Sequence, residues 1–175
     1  ALQLACEADP KDPRKLVDLA WAYLTSGNEV DAPIKASEAL EVDPANGDAH
    51  AILGLDFARR KNLPRAREEL EKAIDGKTRF QFRVHSALGN IALKDGDKQR
   101  AVDLLEKARE VSPRAGAGHP PGKNLHYQLH DLYNELGKED LAIRRMEDLA
   151  EFAVEKIMNR VDHRVADALD SRLLL

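Results

Sequence analysis

Cysteine occurs once in the chain's 175 residues, at Cys6, so there is no internal disulfide and no thiolate zinc site. No apolar run approaches the roughly 20 residues that span a bilayer, and the mean hydropathy is −0.51. Basic residues are not in excess: 27 Lys and Arg stand against 31 Asp and Glu, for a net charge of −4. That balance excludes a general nucleic-acid-binding surface. A Gly-rich phosphate loop, a nucleophile elbow and a thiol with a plausible base are all missing, so neither an enzyme nor a cofactor site is expected. No charged segment followed by an apolar core opens the chain as a leader would. It begins at Ala1 rather than Met, which sets the expectation of a fragment of a longer protein, with any leader upstream. Few cysteines and no leader together point to the cytoplasm. With 43% hydrophobic and 33% charged residues, the chain has enough apolar surface for a continuous core.

What the chain does have is repetition. Residues 88–113, LGNIALKDGDKQRAVDLLEKAREVSP, combine a Leu-Gly pair, a Gly-Asp turn, an Ala-x-x-x-Leu-x-x-Ala face and a closing proline. The alanines Ala5, Ala39, Ala73 and Ala108 recur at intervals of 34, 34 and 35. A fixed period near 34 marks stacked helix-turn-helix units. Small residues where two helices approach allow a tight crossing, while Leu, Tyr and Phe fill the gaps beside them.

This pattern resembles the tetratricopeptide repeat (TPR) family, whose units read W-x₂-L-G-x₂-Y…A-x₃-F…P. The resemblance implies an all-α fold, an α-solenoid of antiparallel helix pairs (a TPR superhelix) with a C-terminal capping helix. Residues 1–10 read as the tail of a preceding, truncated repeat, Pro10 standing 34 before Pro44. Residues 11–46 form the first full repeat, with Leu19, Ala20 and Tyr23, the Gly27-Asn28 turn, and then Ala32, Ala36, Ala39 and Pro44. Residues 47–81 form the second, with Leu53-Gly54, Phe57, an Asn62 cap before Leu63-Pro64, and Ala66, Leu70 and Ala73. It lacks the closing proline and carries Thr78-Arg79-Phe80 instead. The third repeat spans 82–115, and a Gly/Pro loop, 116–122, delays the fourth. That fourth unit, 123–150, is degenerate: His130 occupies the position usually held by a small residue. Residues 151–175 continue an apolar stripe at helical spacing, either as one long helix or with a break near Asn159. They cap the solenoid or pair with a second copy as a coiled coil.

Three histidines, His50, His85 and His126, share one motif position, where the family carries a bulky packing residue. Packing is therefore the expected role. His126 and His130 stand i and i+4 on one helix face and offer a competing metal-binding reading, but the chain supplies no obvious third ligand. His119 is expected to be solvent-exposed in its loop. The runs Arg67-Glu68-Glu69 and Arg144-Arg145 read as solvated faces, Glu68 and Lys72 being an i,i+4 pair.

In solenoids that resemble this one, the first helices of successive repeats line a concave groove. The implied lining is Arg14, Val17, Trp21 and Leu24, then Asp48, Ala51, Leu55 and Arg59, then Arg83, Ser86, Asn90 and Lys94. The fourth repeat adds Asn124, Tyr127, Asp131, Asn134 and Glu135. Aromatics are only 5% of the chain, and Tyr23, Phe57 and Tyr133 serve the motif's own packing. Trp21 and Tyr127 are left over as binding anchors, although Trp21 has the alternative of packing against an upstream repeat. The first three repeats place Arg14, Arg59, Arg83 and Lys94 against Asp48 alone, and the fourth is acidic. A chaperone-binding subgroup of the family clamps a terminal carboxylate with paired Lys and Asn. Val17 and Trp21 stand where the first Lys and Asn would be, so that clamp is not carried over. The function implied is a protein–protein interaction scaffold for a partner polypeptide, with an acidic segment the favoured chemistry. Two alternatives stay open: a homo-oligomeric assembly element, joined through the C-terminal helix or by repeat stacking, and a regulatory segment of a multidomain enzyme.

Overall fold

The computed structural model describes residues 9, 11–112 and 125–173, with side chains as far as Met158 in the last helix. The expectations resting on residues 1–8, Pro10, Pro113, the 116–122 loop with His119, Asn124, and Leu174-Leu175 lie outside the described residues. Among the described residues there are eight α-helices and no strand: α1 Pro13–Ser26, α2 Asp31–Val42, α3 Gly47–Arg59, α4 Leu63–Asp75, α5 Gln81–Lys94, α6 Lys98–Val111, α7 Leu125–Glu135 and α8 Glu139–Leu173. The chain is an all-α helical-repeat solenoid. It falls into two compact units, Ala1–Val111 and Ser112–Leu175.

In the first unit α1 pairs with α2, α3 with α4 and α5 with α6, while α3 also packs on α1 and α2, and α5 on α3 and α4. The helix starts follow local chemistry. The Asp12 carboxylate accepts from the Arg14 amide at 2.9 Å, with Pro13 supplying the first helical residue. Asn46 caps α3 through the Ala49 amide at 3.1 Å, and Asn62 caps α4 through the Arg65 amide at 3.4 Å. Within each pair the turn needs one left-handed residue. Gly27 and Gly96 supply it at φ 80° and 81°, whereas the second pair uses Lys61 at φ 63°.

Small residues bring the helices together. One buried cluster comprises Leu16, Val17, Ala20, Ala36, Ala39, Ala49 and Ile52, and a second comprises Ala51, Ala66, Leu70, Ala73, Val84, Leu88 and Ile91. A Cβ on Gly54 would lie 2.6 Å from Leu70 Cγ, and one on Gly89 would lie 2.8 Å from Leu105 Cδ2, so both glycines sit under a leucine of the paired helix. Between pairs, Gly47 meets Gly76, and a Cβ on Gly47 would stand 2.5 Å from the Gly76 carbonyl oxygen.

The junction without a proline is held by polar groups. The Asp48 carboxylate accepts from the Thr78 hydroxyl at 2.8 Å and from the Arg79 amide at 2.7 Å, and it pairs with Arg79 Nε at 2.9 Å. Arg79 also reaches Asp18 on α1. Thr78, with 2% of its surface exposed, stands where Pro44 closes the preceding helix pair, 34 residues earlier.

In the second unit the ring of His130 links α7 to α8. Its Nδ1 donates to the Ala142 carbonyl at 3.1 Å, and its Nε2 accepts from Asn134 at 3.0 Å. His126 is fully buried and meets Phe152 edge-on at 5.6 Å between ring centres. Arg145 is not part of a solvated run: it is buried, because the register of α8 turns it away from solvent, and it pairs with Asp148 at 2.9 Å. The helix α8 runs unbroken for 35 residues, about 52 Å at 1.5 Å per residue. Its partner α7 has 11 residues. Ile143, Val154, Ile157 and Met158 are exposed along α8. Among the described residues no helix is long and apolar enough to cross a membrane.

Candidate functional site

The first helices α1, α3 and α5 share a cleft of about 450 Å³ lined by Trp21, Leu24, Thr25, Leu55, Arg59 and Arg83. Trp21, Leu24 and Thr25 come from the last two turns of α1, Leu55 and Arg59 from α3, and Arg83 from the first turn of α5. The Trp21 ring is stacked on Phe80, with centroids 4.2 Å apart and planes 21° from parallel. The Arg83 guanidinium lies 4.9 Å from the Trp21 ring centre, and that of Arg79 lies 5.0 Å from the centre of Phe80. Such contacts hold a cation over an aromatic face for about 0.5–1 kcal/mol where exposed. The Asp48–Thr78–Arg79 network therefore fixes Phe80, and Phe80 fixes Trp21. Among the described residues no carboxylate pairs with Arg83.

Arg59 is differently placed. Asp56, with 2% of its surface exposed, accepts from an Arg59 Nη at 2.9 Å through one oxygen and pairs with Arg60 Nε at 2.7 Å through the other. Arg59 Nε stands 3.6 Å from the Glu29 carboxylate, and Arg60 donates to the Glu29 carbonyl. Two acids and two arginines thus balance at this rim.

The structure brings Trp21, Leu24, Leu55, Arg59 and Arg83 to one cleft and leaves the other candidates elsewhere. Val17 is 2% exposed and belongs to the core, so its expected place on the groove surface is corrected. Ala51, fully buried, is corrected likewise. Both lie on the sides of α1 and α3 that pack against other helices. Ser86 is half-buried with its Oγ enclosed and without a hydrogen-bond partner among the described residues. Arg14, Asn90 and Lys94 are exposed but do not line the cleft. Tyr127, Asp131 and Asn134 belong to the second unit, where Tyr127 is half-buried and Asn134 is engaged by His130. The sequence reading missed Thr25, Phe80 and Asp56. Only Phe80 carried a signal, because it stands beside the absent proline.

The motif histidines act in packing and polar links. His50 Nδ1 lies 2.7 Å from a Glu69 oxygen and its Nε2 lies 3.1 Å from the Pro44 carbonyl. Burial holds His85 below the ordinary histidine range; the charge of Lys107 lowers it further and Glu110 opposes the shift. Among the described residues no three His, Cys, Asp or Glu side chains are grouped as metal ligands would be.

No protein-family model matches the chain. The type IV pilus assembly protein PilF of Pseudomonas aeruginosa is 36% identical over 94 residues, 54% of this chain and 37% of PilF. Anaphase-promoting complex subunit 3 of Schizosaccharomyces pombe is 26% identical over 128 residues, 72% of this chain and 18% of that protein. Among solved structures, MamA superposes with a TM-score of 0.68 at 21% identity, covering 90% of this chain and 88% of that one. A thermophilic TPR protein of Thermus thermophilus gives 0.62 at 21% identity, covering 99% and 88%. The chain has the fold of the tetratricopeptide-repeat proteins. It spans only 37% and 18% of the lengths of PilF and the anaphase-promoting subunit. The cleft lies on α1, α3 and α5, the first helices of the three helix pairs in the first unit.

Proposed function

We propose that this TPR chain is a non-enzymatic interaction scaffold that receives an acidic, partly apolar segment of a partner protein in the cleft between α1, α3 and α5. The observation that carries this reading is the make-up of the cleft. Its six lining residues include Trp21, Leu24 and Leu55, two arginines and no carboxylate. A cationic concavity on a chain of net charge −4 focuses its field on an acidic ligand. A half-buried tryptophan with an apolar floor is a favoured anchor for a partner side chain. Two relatives carry the names of assembly components, a pilus assembly protein and a subunit of the anaphase-promoting complex, which fits a scaffold role. In the second unit, Tyr127, Asp131 and Asn134 are proposed as a separate contact of opposite charge. Nucleic acid has no place in this reading, and the single cysteine supports a cytoplasmic setting.

The test is fluorescence anisotropy with labelled peptides alternating Leu with Glu or Leu with Lys. The Leu–Glu peptide binds, and Arg83→Glu weakens it by about tenfold, the equivalent of roughly 1.4 kcal/mol. Equal binding of both peptides, or an Arg83→Glu protein that binds as well as the parent, overturns the reading. A second reading, self-association through α8, draws on the exposed Ile143, Val154 and Ile157. Sedimentation at several concentrations removes it if the chain stays monomeric.

A further inference from the structure

The two cleft arginines differ in what surrounds them. Arg83 touches the Trp21 ring and has no carboxylate partner among the described residues. Arg59 is held by Asp56 at 2.9 Å and approached by Glu29 at 3.6 Å, and the second Asp56 oxygen is taken by Arg60 at 2.7 Å. The charges of Asp56 and Glu29 cancel those of Arg59 and Arg60 at the rim. Asp56 does not line the cleft and has 2% of its surface exposed, so a ligand does not touch it. Its effect reaches the ligand through Arg59.

We propose that Asp56 is a positioning and specificity-determining residue that, with Glu29, withholds Arg59 from the ligand, so that the cleft reads one carboxylate, at Arg83, beside an apolar side chain on Trp21 and Leu55. This rests on the acidic-ligand reading of the cleft. The physical reason is competition. A guanidinium donating in a short, charge-assisted bond to a buried carboxylate gains little by turning to a solvated one. Arg83 gives up only a cation–π contact when a carboxylate arrives. A segment with two neighbouring acids therefore gains almost nothing over a segment with one.

The experiment compares two labelled peptides of equal length, one with a single Glu among Leu and Gln and one with two Glu, across a salt series. The parent protein binds both within about twofold of each other. Asp56→Asn keeps the side chain's shape, frees Arg59 from a charged partner, and binds the two-Glu peptide about 3- to 10-fold tighter with a steeper salt dependence. Glu29→Gln, at a side chain 58% exposed, shifts binding in the same direction by less and does not touch the buried carboxyl. A merely structural role for Asp56 would weaken both peptides equally and leave the salt slope unchanged. Asp56→Asn and Glu29→Gln proteins that bind the two-Glu peptide no tighter than the parent overturn the proposal. If instead neither peptide binds the parent, the acidic-ligand reading itself fails.

Discussion

Gly47→Ala tests the way successive helix pairs meet. Gly47 opens α3 with an ordinary backbone conformation, so alanine there is locally welcome and gains about 0.4–1 kcal/mol by restricting the unfolded chain. Against this, the new Cβ would stand 2.5 Å from the Gly76 carbonyl oxygen, 2.6 Å from its carbon and 2.8 Å from the Ala73 oxygen. All three are backbone atoms, so no rotamer change relieves the overlap. The last turn of α4 has to back away, and with it the turn that carries Thr78 and Arg79 to Asp48. Overpacking of this kind costs about 1–3 kcal/mol, and the backbone neighbours place it at the upper end. The net loss is about 2 kcal/mol, a factor of roughly 30 in the folded ratio and roughly 5–10 °C in Tm for a unit of this size. Urea and thermal unfolding read the loss, compared as midpoints because repeat arrays are not strictly two-state. Gly54→Ala, facing Leu70 Cγ at 2.6 Å and the Leu70 nitrogen at 3.0 Å, is expected to cost less. Gly89→Ala should cost least, since its two nearest atoms, both at 2.8 Å, belong to the movable Leu105 side chain. Gly47→Ala and Gly76→Ala combined lose less than the sum of the two, because they crowd one contact. A Gly47→Ala protein as stable as the parent would refute the close approach of the pairs.

Three further outcomes follow from named contacts. Lys61→Gly should raise stability by about 0.5–1 kcal/mol, measured by urea unfolding, because Lys61 holds φ at 63° where the other described pairs use glycine. Asp48→Ala strands the buried Thr78 hydroxyl and the Arg79 amide and should cost about 2–3 kcal/mol; hydrogen exchange would show the loss concentrated at the α4–α5 junction. His85, whose folded-state value is depressed below 6.5, takes up its proton more readily in the unfolded chain. Its share of stability is therefore present above that value and declines as pH falls below it, until the folded-state value is passed. His85→Phe should flatten that part of the stability profile between neutral and mildly acid pH, and an unchanged profile would count against the assignment.

The helix pairs were legible because their signals are local or periodic. Gly54, Gly89, the Asn62 cap and the Gly27 turn each announce a conformation or a close approach within a few residues. Which face of a first helix looks outward was also readable, and Trp21, Leu55, Arg59 and Arg83 do share a cleft. Depth was not readable: Val17 and Ala51 follow the same periodicity as their exposed neighbours, and only the packing of adjacent helices buries them. The polar locks escaped notice for a different reason. Asp48 lies 30 residues from Thr78, and Asp18 lies 61 from Arg79. No local pattern announces such a pairing. Arg145 reads as a surface charge because its burial depends on tertiary packing that no local pattern announces. Trp21 was expected either to face a ligand or to pack upstream. It lines the cleft and also stacks forward on Phe80, so Trp21→Ala is a costlier change than a pure groove substitution.

Trp21 is the only tryptophan in the chain, and it stands in the cleft. Its emission, followed while a peptide alternating Leu and Glu is added, therefore reports occupancy of the proposed site directly. A saturable change is predicted, diminished by salt and by Arg83→Glu and absent with the Leu–Lys peptide. An emission that does not respond to the Leu–Glu peptide, or that responds equally to both, would contradict the account.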